Sequence, residues 1–146
     1  MNYNIVVDKT HEEAALVRAT QDDAAFDICA VEGGFIEPGG RAVVPTGIKL
    51  ELPPTVAALV HPRSGLAAKN GVTVLNTPGL IDPGYRGEIK VILHNTDPYK
   101  TFRYGIGERI AQIRFVENFT SNIRLHDGIV LDDTERGEGG LGSTGV

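Results

Sequence analysis

The chain has 146 residues, with 14 lysines and arginines against 19 aspartates and glutamates, which gives a net charge of −5. It contains 18 glycines, 8 prolines and one cysteine. The length favours one domain with a substantial core, and one cysteine excludes an internal disulfide and a cysteine-rich zinc site. The acidic balance argues against a nucleic acid or an anionic membrane as partner. The excess of turn-forming residues is typical of an all-β chain.

Apolar or alternating segments of strand length lie between turn-forming pairs such as Pro-Gly and Asn-Gly. They predict seven strands, at residues 4–7, 26–31, 41–52, 55–61, 72–75, 88–94 and 109–116, and a weaker eighth at 123–130. Residues 65–70 predict one short helix, and residues 12–18 are either a helical turn or a loop. Strands at this spacing predict a sandwich, a jelly roll or a barrel.

The N-terminal sequence MNYNIVVDKTHEE lacks the basic head and long apolar run of a secretory signal. No stretch reaches the roughly 18 apolar residues of a membrane span, so we expect a cytoplasmic protein without a membrane partner. The last residues, from 132 to 146, are rich in glycine and contain only two sizeable apolar side chains. Such a tail cannot bury enough apolar surface to order itself.

The segment Pro62-Arg63-Ser64-Gly65 lies where a predicted strand ends and the predicted helix begins. Free amides at a helix start, a serine hydroxyl and a planar arginine cation all suit phosphate oxygens. The alternative is a capping serine beside a solvated arginine. Gln112 lies beside Arg109 in an apolar strand and must find a polar partner, for which a ligand or a water is one option.

Arg136, Ser143 and Thr144 in the tail could wrap a polyphosphate, together with the backbone of the glycines between them. The alternative is an inert terminus. Residues 137–142 also match the pattern G-x-G-x-x-G, but a dinucleotide-binding site needs a strand before that pattern and a helix after it.

Asp82 lies in an Asp-Pro-Gly sequence between two predicted strands. It is either the first residue of a turn or a general base that orients and deprotonates a water. Tyr85, just beyond the turn, either packs on a sugar ring or makes a cross-strand aromatic contact. Cys29, in an apolar strand, is expected to be a buried and unreactive thiol. The four histidines are scattered, which argues against a zinc site.

Five segments stand out when taken in order: AFDICA, PRSGLAAKNGV, NTPGLIDPGYRGEIKVILHN, GERIAQIRF and RGEGGLGSTG. In this order and spacing they closely resemble the motifs of the homotrimeric deoxyuridine triphosphatases (dUTPases). The resemblance implies an all-β, jelly-roll-like β-barrel with one short helix, divided into a barrel domain at 1–131 and a flexible lid at 132–146. It also implies a homotrimer in which three subunits share each active site.

The resemblance further implies the hydrolysis of dUTP to dUMP and pyrophosphate, which limits uracil in DNA and supplies dUMP for dTMP synthesis. Asp82 would activate the water that attacks the α-phosphorus, and Asp27 would support it. The implied phosphate contacts are Arg63, Ser64, Gly65, Gln112, Arg136, Ser143 and Thr144. The implied contacts to uracil and deoxyribose are Asn76, Gly79, Ile81, Tyr85, Lys90 and Leu141. Mg²⁺ is the implied cofactor, held by the substrate phosphates and water without a direct protein ligand.

One departure and two alternatives follow from the comparison with these motifs. Leu141 stands where the family tail usually has a phenylalanine that stacks on uracil, so we expect weaker capping of the base. A dCTP deaminase shares the barrel, but this chain has IDPGYRGEI in place of the deaminase pattern and retains the tail motif. A non-catalytic regulator with the same fold is disfavoured by the intact Asp82, Arg63, Arg136 and Tyr85.

Overall fold

The computed structural model describes residues 2–145, so the two outermost residues of the predicted ranges, Met1 and Val146, lie outside the described residues. Within residues 2–145 the chain forms twelve strands, one α-helix and one short 3-10 helix. In chain order these are β1 (Val6–Lys9), β2 (Leu16–Val17), β3 (Phe26–Cys29), β4 (Gly34–Ile36), β5 (Arg41–Pro45), β6 (Ile48–Glu51), β7 (Val56–His61), α1 (Ser64–Asn70), β8 (Val72–Val74), β9 (Gly79–Ile81), β10 (Lys90–Asn95), β11 (Phe102–Tyr104), β12 (Arg109–Glu117) and the 3-10 helix Phe119–Asn122.

The strands form four sheets with antiparallel pairing. A five-stranded sheet has the order β2-β3-β12-β7-β9, and a three-stranded sheet has the order β5-β10-β8. Two smaller sheets pair β1 with β6 and β4 with β11. Ile28 and Ile113 of the larger sheet are fully buried in one cluster with Val44 and Leu93 of the three-stranded sheet. The all-β, jelly-roll-like class is therefore confirmed, although the sheets of the described residues do not join into a closed barrel.

Alternation along the strands explains why these segments pair as they do. In β10, Val91, Leu93 and Asn95 are buried, whereas the residues between them are not. Buried Asn95 donates from Nδ2 to the carbonyl oxygens of Ile36 and Lys100, over 3.0 and 2.8 Å. A polar side chain at this depth is tolerated because its hydrogen bonds are made.

Most of the predicted elements are confirmed, with shifted ends. The predicted strand at 41–52 divides into β5 and β6 because Gly47, with a φ of 66°, turns the chain between them. The predicted helix forms one residue longer, as Ser64–Asn70, and is followed by Gly71 in the left-handed region, with a φ of 65°.

One prediction fails, and four strands were not expected. The segment 123–130 forms no strand, because its apolar side chains remain exposed and no strand edge within the described chain pairs with it. Of the two alternatives for residues 12–18, the helical turn is not formed: these residues form a turn and an irregular segment, followed by the two-residue strand β2. Strands β4, β9 and β11 have three residues each, too few for their alternation to stand out in the sequence.

Candidate active site

A cluster of polar side chains, the arginine cluster, is formed by Asp27, Arg63, Arg109 and Gln112. Asp27 on β3 lies opposite Gln112 on β12, whose Nε2 donates to Asp27 Oδ1 over 3.5 Å. Arg63 Nε lies 3.3 Å from Oδ1, and Arg109 Nη1 lies 3.1 Å from Oδ2. The side chain of Asp27 is only 15% exposed, whereas those of Arg63 and Arg109 are 33% and 45% exposed. One sheltered carboxylate thus holds two guanidinium groups that remain open to solvent.

A β-bulge explains how Arg109 reaches this cluster. In a regular strand, residues 109 and 112 point to opposite faces of the sheet, so alternation alone places Arg109 away from Gln112. The register of β12 against β3 shifts between Arg109 and Ala111, and the extra residue brings both polar side chains to one face. The sequence therefore does not predict Arg109 as a site residue. Arg63 Nη1 also donates to the Arg109 carbonyl oxygen over 2.9 Å, which ties the two arginine positions together.

Ser64 and Gly65 form the first turn of α1, directly after the arginine cluster. Arg63 is the N-cap residue and makes no side-chain capping hydrogen bond, so the interpretation of Ser64 as the capping residue is wrong. A Cβ placed on Gly65 would meet no atom within 4 Å. Open space therefore lies against the backbone of this turn, next to two arginine side chains.

A cleft of about 310 Å³ lies between β9 and β10. Its size falls at the lower end of the range that holds small-molecule ligands, roughly 300 to 1,000 Å³. Six of the predicted contact residues line it together, namely Asn76, Gly79, Ile81, Asp82, Tyr85 and Lys90. Glu88 also lines the cleft, although the sequence does not predict it.

Asp82 differs from the aspartates that serve turns in this chain. The carboxylate of Asp23 accepts from the Thr20 hydroxyl and from the Thr20 and Ala19 amides, and these hydrogen bonds lower the pKa of Asp23. The carboxylate of Asp97 accepts from the amides of Tyr99 and Lys100 in the same way, and its pKa is also lowered.

The turn at Asp82 uses only the backbone, since the Tyr85 amide donates to the Asp82 carbonyl oxygen over 3.1 Å. Among residues 2–145, no hydrogen bond or ion pair engages the Asp82 carboxylate, which lines the cleft. The turn interpretation is therefore confirmed for the backbone, and the carboxylate is left available.

Asp82 and the arginine cluster are far apart within one chain. Ile81, which precedes Asp82, lies opposite Ala58 on β7. From Ala58, extended chain leads through the end of β7 to Arg63, whose φ and ψ are −88° and 130°. At about 3.3 Å per residue this corresponds to about 16 Å. Asp82 and Arg63 therefore lie near opposite ends of β7, although the cleft also includes Val60, three residues before Arg63.

The tail, at residues 132–145, contains the remaining predicted phosphate contacts. Arg136 Nε donates to the Gly139 carbonyl oxygen over 2.8 Å, and Gly139 and Ser143 donate backbone amides to other tail residues. Within the described chain, every hydrogen bond of residues 132–145 stays inside the tail. Leu141 is fully exposed. The structure thus leaves Arg136, Leu141, Ser143 and Thr144 apart from both the cleft and the arginine cluster.

Cys29 lies beside the arginine cluster, opposite Arg109, and is buried as predicted. Burial raises the pKa of its thiol, although Arg109 and Arg63 act in the opposite direction. A thiol that stays protonated at neutral pH is a poor nucleophile, so this cysteine is not a candidate for the chemistry of the site.

Similarity to known proteins shows the family to which this chain belongs. A family model described as dUTPase matches residues 11–145. The chain belongs to the dUTPase family. It is 49% identical over 123 residues to the deoxyuridine 5'-triphosphate nucleotidohydrolase of Streptomyces griseus. The aligned region covers 84% of this chain and 69% of that protein. It is 45% identical over 143 residues to the enzyme of the same name from Clostridium novyi, covering 97% and 99%.

Solved structures agree with the sequence comparison. The dUTPase of Staphylococcus bacteriophage 80alpha, solved with dUpNHpp, has a TM-score of 0.85 at 27% identity and covers 98% of this chain and 99% of its own. The present protein is a dUTP diphosphatase, a hydrolase of nucleotide metabolism.

Two other kinds of feature are absent from the described residues. In residues 2–145, no three side chains of His, Cys, Asp or Glu come together as a metal-ion site. In the same part of the chain, the helices are too short or too polar to cross a membrane.

Proposed function

We propose that Asp82 is the catalytic residue of dUTP hydrolysis. Its carboxylate would orient a water and accept a proton from it while the water oxygen bonds to the α-phosphorus. The bond from that phosphorus to the oxygen bridging to the β-phosphate would break, which gives dUMP and pyrophosphate. The observation that carries this assignment is the unengaged Asp82 carboxylate in the cleft, in contrast to the capped carboxylates of Asp23 and Asp97. The dUMP formed would serve dTMP synthesis.

The cleft would hold the nucleoside. The backbone at Gly79 and Ile81, with the Asn76 amide, would pair with uracil, because a tight hairpin rejects a base with another donor and acceptor pattern. Tyr85 would pack on the deoxyribose, and Lys90 lies at the same cleft.

The arginine cluster would bind the triphosphate. Two guanidinium groups, the Gln112 amide and the first turn of α1 at Ser64 and Gly65 offer donors beside open space. Asp27 would act by holding both arginines in place before the nucleotide arrives. Such preorganised donors stabilise the charge that develops on the phosphoryl oxygens and on the leaving pyrophosphate.

The tail and a trimer would complete the site. The extended chain of about 16 Å from Ala58, opposite Ile81, to Arg63 supports a site in which one subunit supplies Asp82 and another the arginine cluster. Residues 132–146 would act as a lid from a third subunit on the barrel domain at 1–131, with Arg136, Ser143 and Thr144 on the phosphates and Leu141 on the base. Its exposure and internal hydrogen bonding support a segment that orders on binding.

Mg²⁺ would reach the site with its substrate. Since the described residues do not form a three-ligand metal site, the donor chemistry fits an ion held by phosphate oxygens and waters. When bound, the ion would neutralise phosphate charge. Asp27, the carboxylate within the arginine cluster, is the group that would orient its waters.

The substitution Asp82→Asn tests the catalytic role. It keeps the size and polarity of the side chain but cannot accept the proton, so we expect turnover to fall about 10²–10⁴-fold with dUTP binding retained. Pyrophosphate release measures turnover, and a titration with dUpNHpp measures binding. Turnover near the parent rate would remove Asp82 from this role. Release of ammonia from dCTP would instead favour deaminase activity.

Mixing two inactive variants tests the shared site. When Asp82→Asn and Arg63→Ala chains are refolded together, each variant retains the residue that the other lacks. Some sites would then take Asp82 from an Arg63→Ala chain and Arg63 from an Asp82→Asn chain. In random trimers about a quarter of the sites would be complete, so activity should return to about that fraction. Each variant refolded alone is the control. No gain on mixing would show that one chain supplies both residues.

A further inference from the structure

The ring of Tyr85 packs against a glycine, Gly87. It lies against the backbone of that residue, and the Tyr85 hydroxyl donates to the Glu88 carbonyl oxygen over 2.8 Å. A Cβ built on Gly87 would lie 2.6 Å from Tyr85 Cζ and 2.9 Å from Cε2, and nearer still to the hydroxyl oxygen. Carbon atoms in contact are separated by about 3.5–4.0 Å, so any side chain at position 87 would force this ring to move by about 1 Å.

The closest contacts of a side chain at position 87 would be with the Tyr85 ring. The three nearest atoms to the added Cβ all belong to Tyr85, and none belongs to the backbone or the core. Gly87 does not have a φ in the left-handed region. An alanine would therefore fit the backbone conformation at position 87 and displace the ring of Tyr85, a residue that is 47% exposed. Because Gly87 has no side chain, the Tyr85 ring can take its observed position in the cleft.

We propose that Gly87 is a positioning residue that sets the preference for deoxyribose over ribose, by letting the Tyr85 ring lie against the backbone. This rests on the proposed function, in which Tyr85 packs on the sugar. Exclusion of a 2′-hydroxyl requires close approach between the ring and the sugar. A ring that moves away from the sugar admits ribose, and one that moves towards it clashes with deoxyribose as well. The first displacement lowers the ratio of kcat/KM for dUTP to that for UTP. The second lowers kcat/KM for both nucleotides, and an unchanged ratio would then overturn the proposal.

The test measures this ratio for Gly87→Ala. We expect it to fall about tenfold or more, since a steric difference of one small group is worth about 10–200-fold in discrimination. Thermal unfolding should be close to that of the parent, because the clash is with an exposed ring. An unchanged ratio would overturn the proposal.

Two glycines give matched controls. Gly34 lies under the ring of Tyr104, where an added Cβ would be 2.8 Å from Cζ, but this pair is on β4 and β11. Gly34→Ala therefore displaces a tyrosine outside the cleft and should leave the ratio unchanged. Gly84 lies in the turn between Asp82 and Tyr85, and a Cβ there meets nothing within 4 Å. A fall in the ratio for either control, equal to that for Gly87→Ala, would contradict the proposal.

A double-mutant cycle separates this proposal from the role of Tyr85 itself. If Gly87 acts through the ring, Gly87→Ala should change the ratio in the parent and not in a Tyr85→Ala background. An equal further fall in that background would overturn the positioning role. If Tyr85→Ala lowers the ratio and Gly87→Ala does not, the proposal for Gly87 alone is wrong. If Tyr85→Ala keeps the ratio, the sugar contact assigned to Tyr85 is wrong, and the proposal for Gly87 is wrong with it.

Discussion

The arginine cluster and the tail differ in how they hold their arginines. Arg63 and Arg109 are paired with one sheltered carboxylate and lie at the ends of hydrogen-bonded strands. Arg136 is exposed, and its Nε donates only to a carbonyl oxygen three residues away. Arg63 and Arg109 are therefore in place before a nucleotide binds, whereas Arg136 must move to reach the nucleotide.

This difference separates two contributions to phosphate binding. Donors that are already fixed lose little conformational entropy when they bind, so their electrostatic energy is available to the transition state. A glycine-rich tail must lose backbone freedom of about 1–2 kcal/mol per residue, and its contacts must first offset that loss. We therefore expect substitutions in the arginine cluster to alter both stability and activity, and those in the tail to alter activity alone.

The largest combined effect on activity and stability is expected for Arg63→Ala. It removes a phosphate donor and one of the two cations at Asp27, so we expect kcat/KM to fall about 10²–10³-fold. Because Arg109 still pairs with Asp27, the loss of stability should be about 1 kcal/mol, or about 3 °C in the melting temperature. Pyrophosphate release and thermal unfolding measure the two effects. Compared with Arg63→Ala, Arg63→Lys should restore more of the melting temperature than of the activity. An unchanged melting temperature would contradict a preorganised cluster.

The tail counterpart, Arg136→Ala, should leave the melting temperature unchanged. Its activity should fall by about 10²-fold, because one donor to the phosphates is lost. Arg124→Ala is the matched control, since Arg124 is an exposed arginine of the same C-terminal part but lies outside the proposed lid. If Arg136→Ala destabilised the protein, the tail would be docked before the nucleotide binds, and the contrast with the arginine cluster would be lost.

The same contrast explains how much could be predicted from the sequence. The cleft residues come from one continuous motif, in which Asn76, Asp82 and Tyr85 lie close together along the chain. Arg109 was missed because a bulge reverses the face on which alternation places it. The segment 123–130 has the alternation of a strand, but that pattern cannot show whether another strand edge is available to pair with it. The link between Gly87 and Tyr85 depends on a ring position that no local pattern encodes.

The smallest effect is expected at the tip of the tail, where Leu141→Phe would restore a ring for stacking on uracil. Leu141 is fully exposed and has a φ of 48°, a conformation equally unfavourable for leucine and phenylalanine. The substitution should therefore leave stability unchanged and gain about 1 kcal/mol of aromatic contact in the closed state, or about fivefold in KM for dUTP. Leu141→Met is the control for a longer, flexible apolar side chain without a ring. If Met and Phe lower KM equally, coverage of the base matters and stacking does not. If neither changes KM, the lid reaches the phosphates through Arg136 without closing over uracil, and the tail resembles the arginine cluster in what it binds.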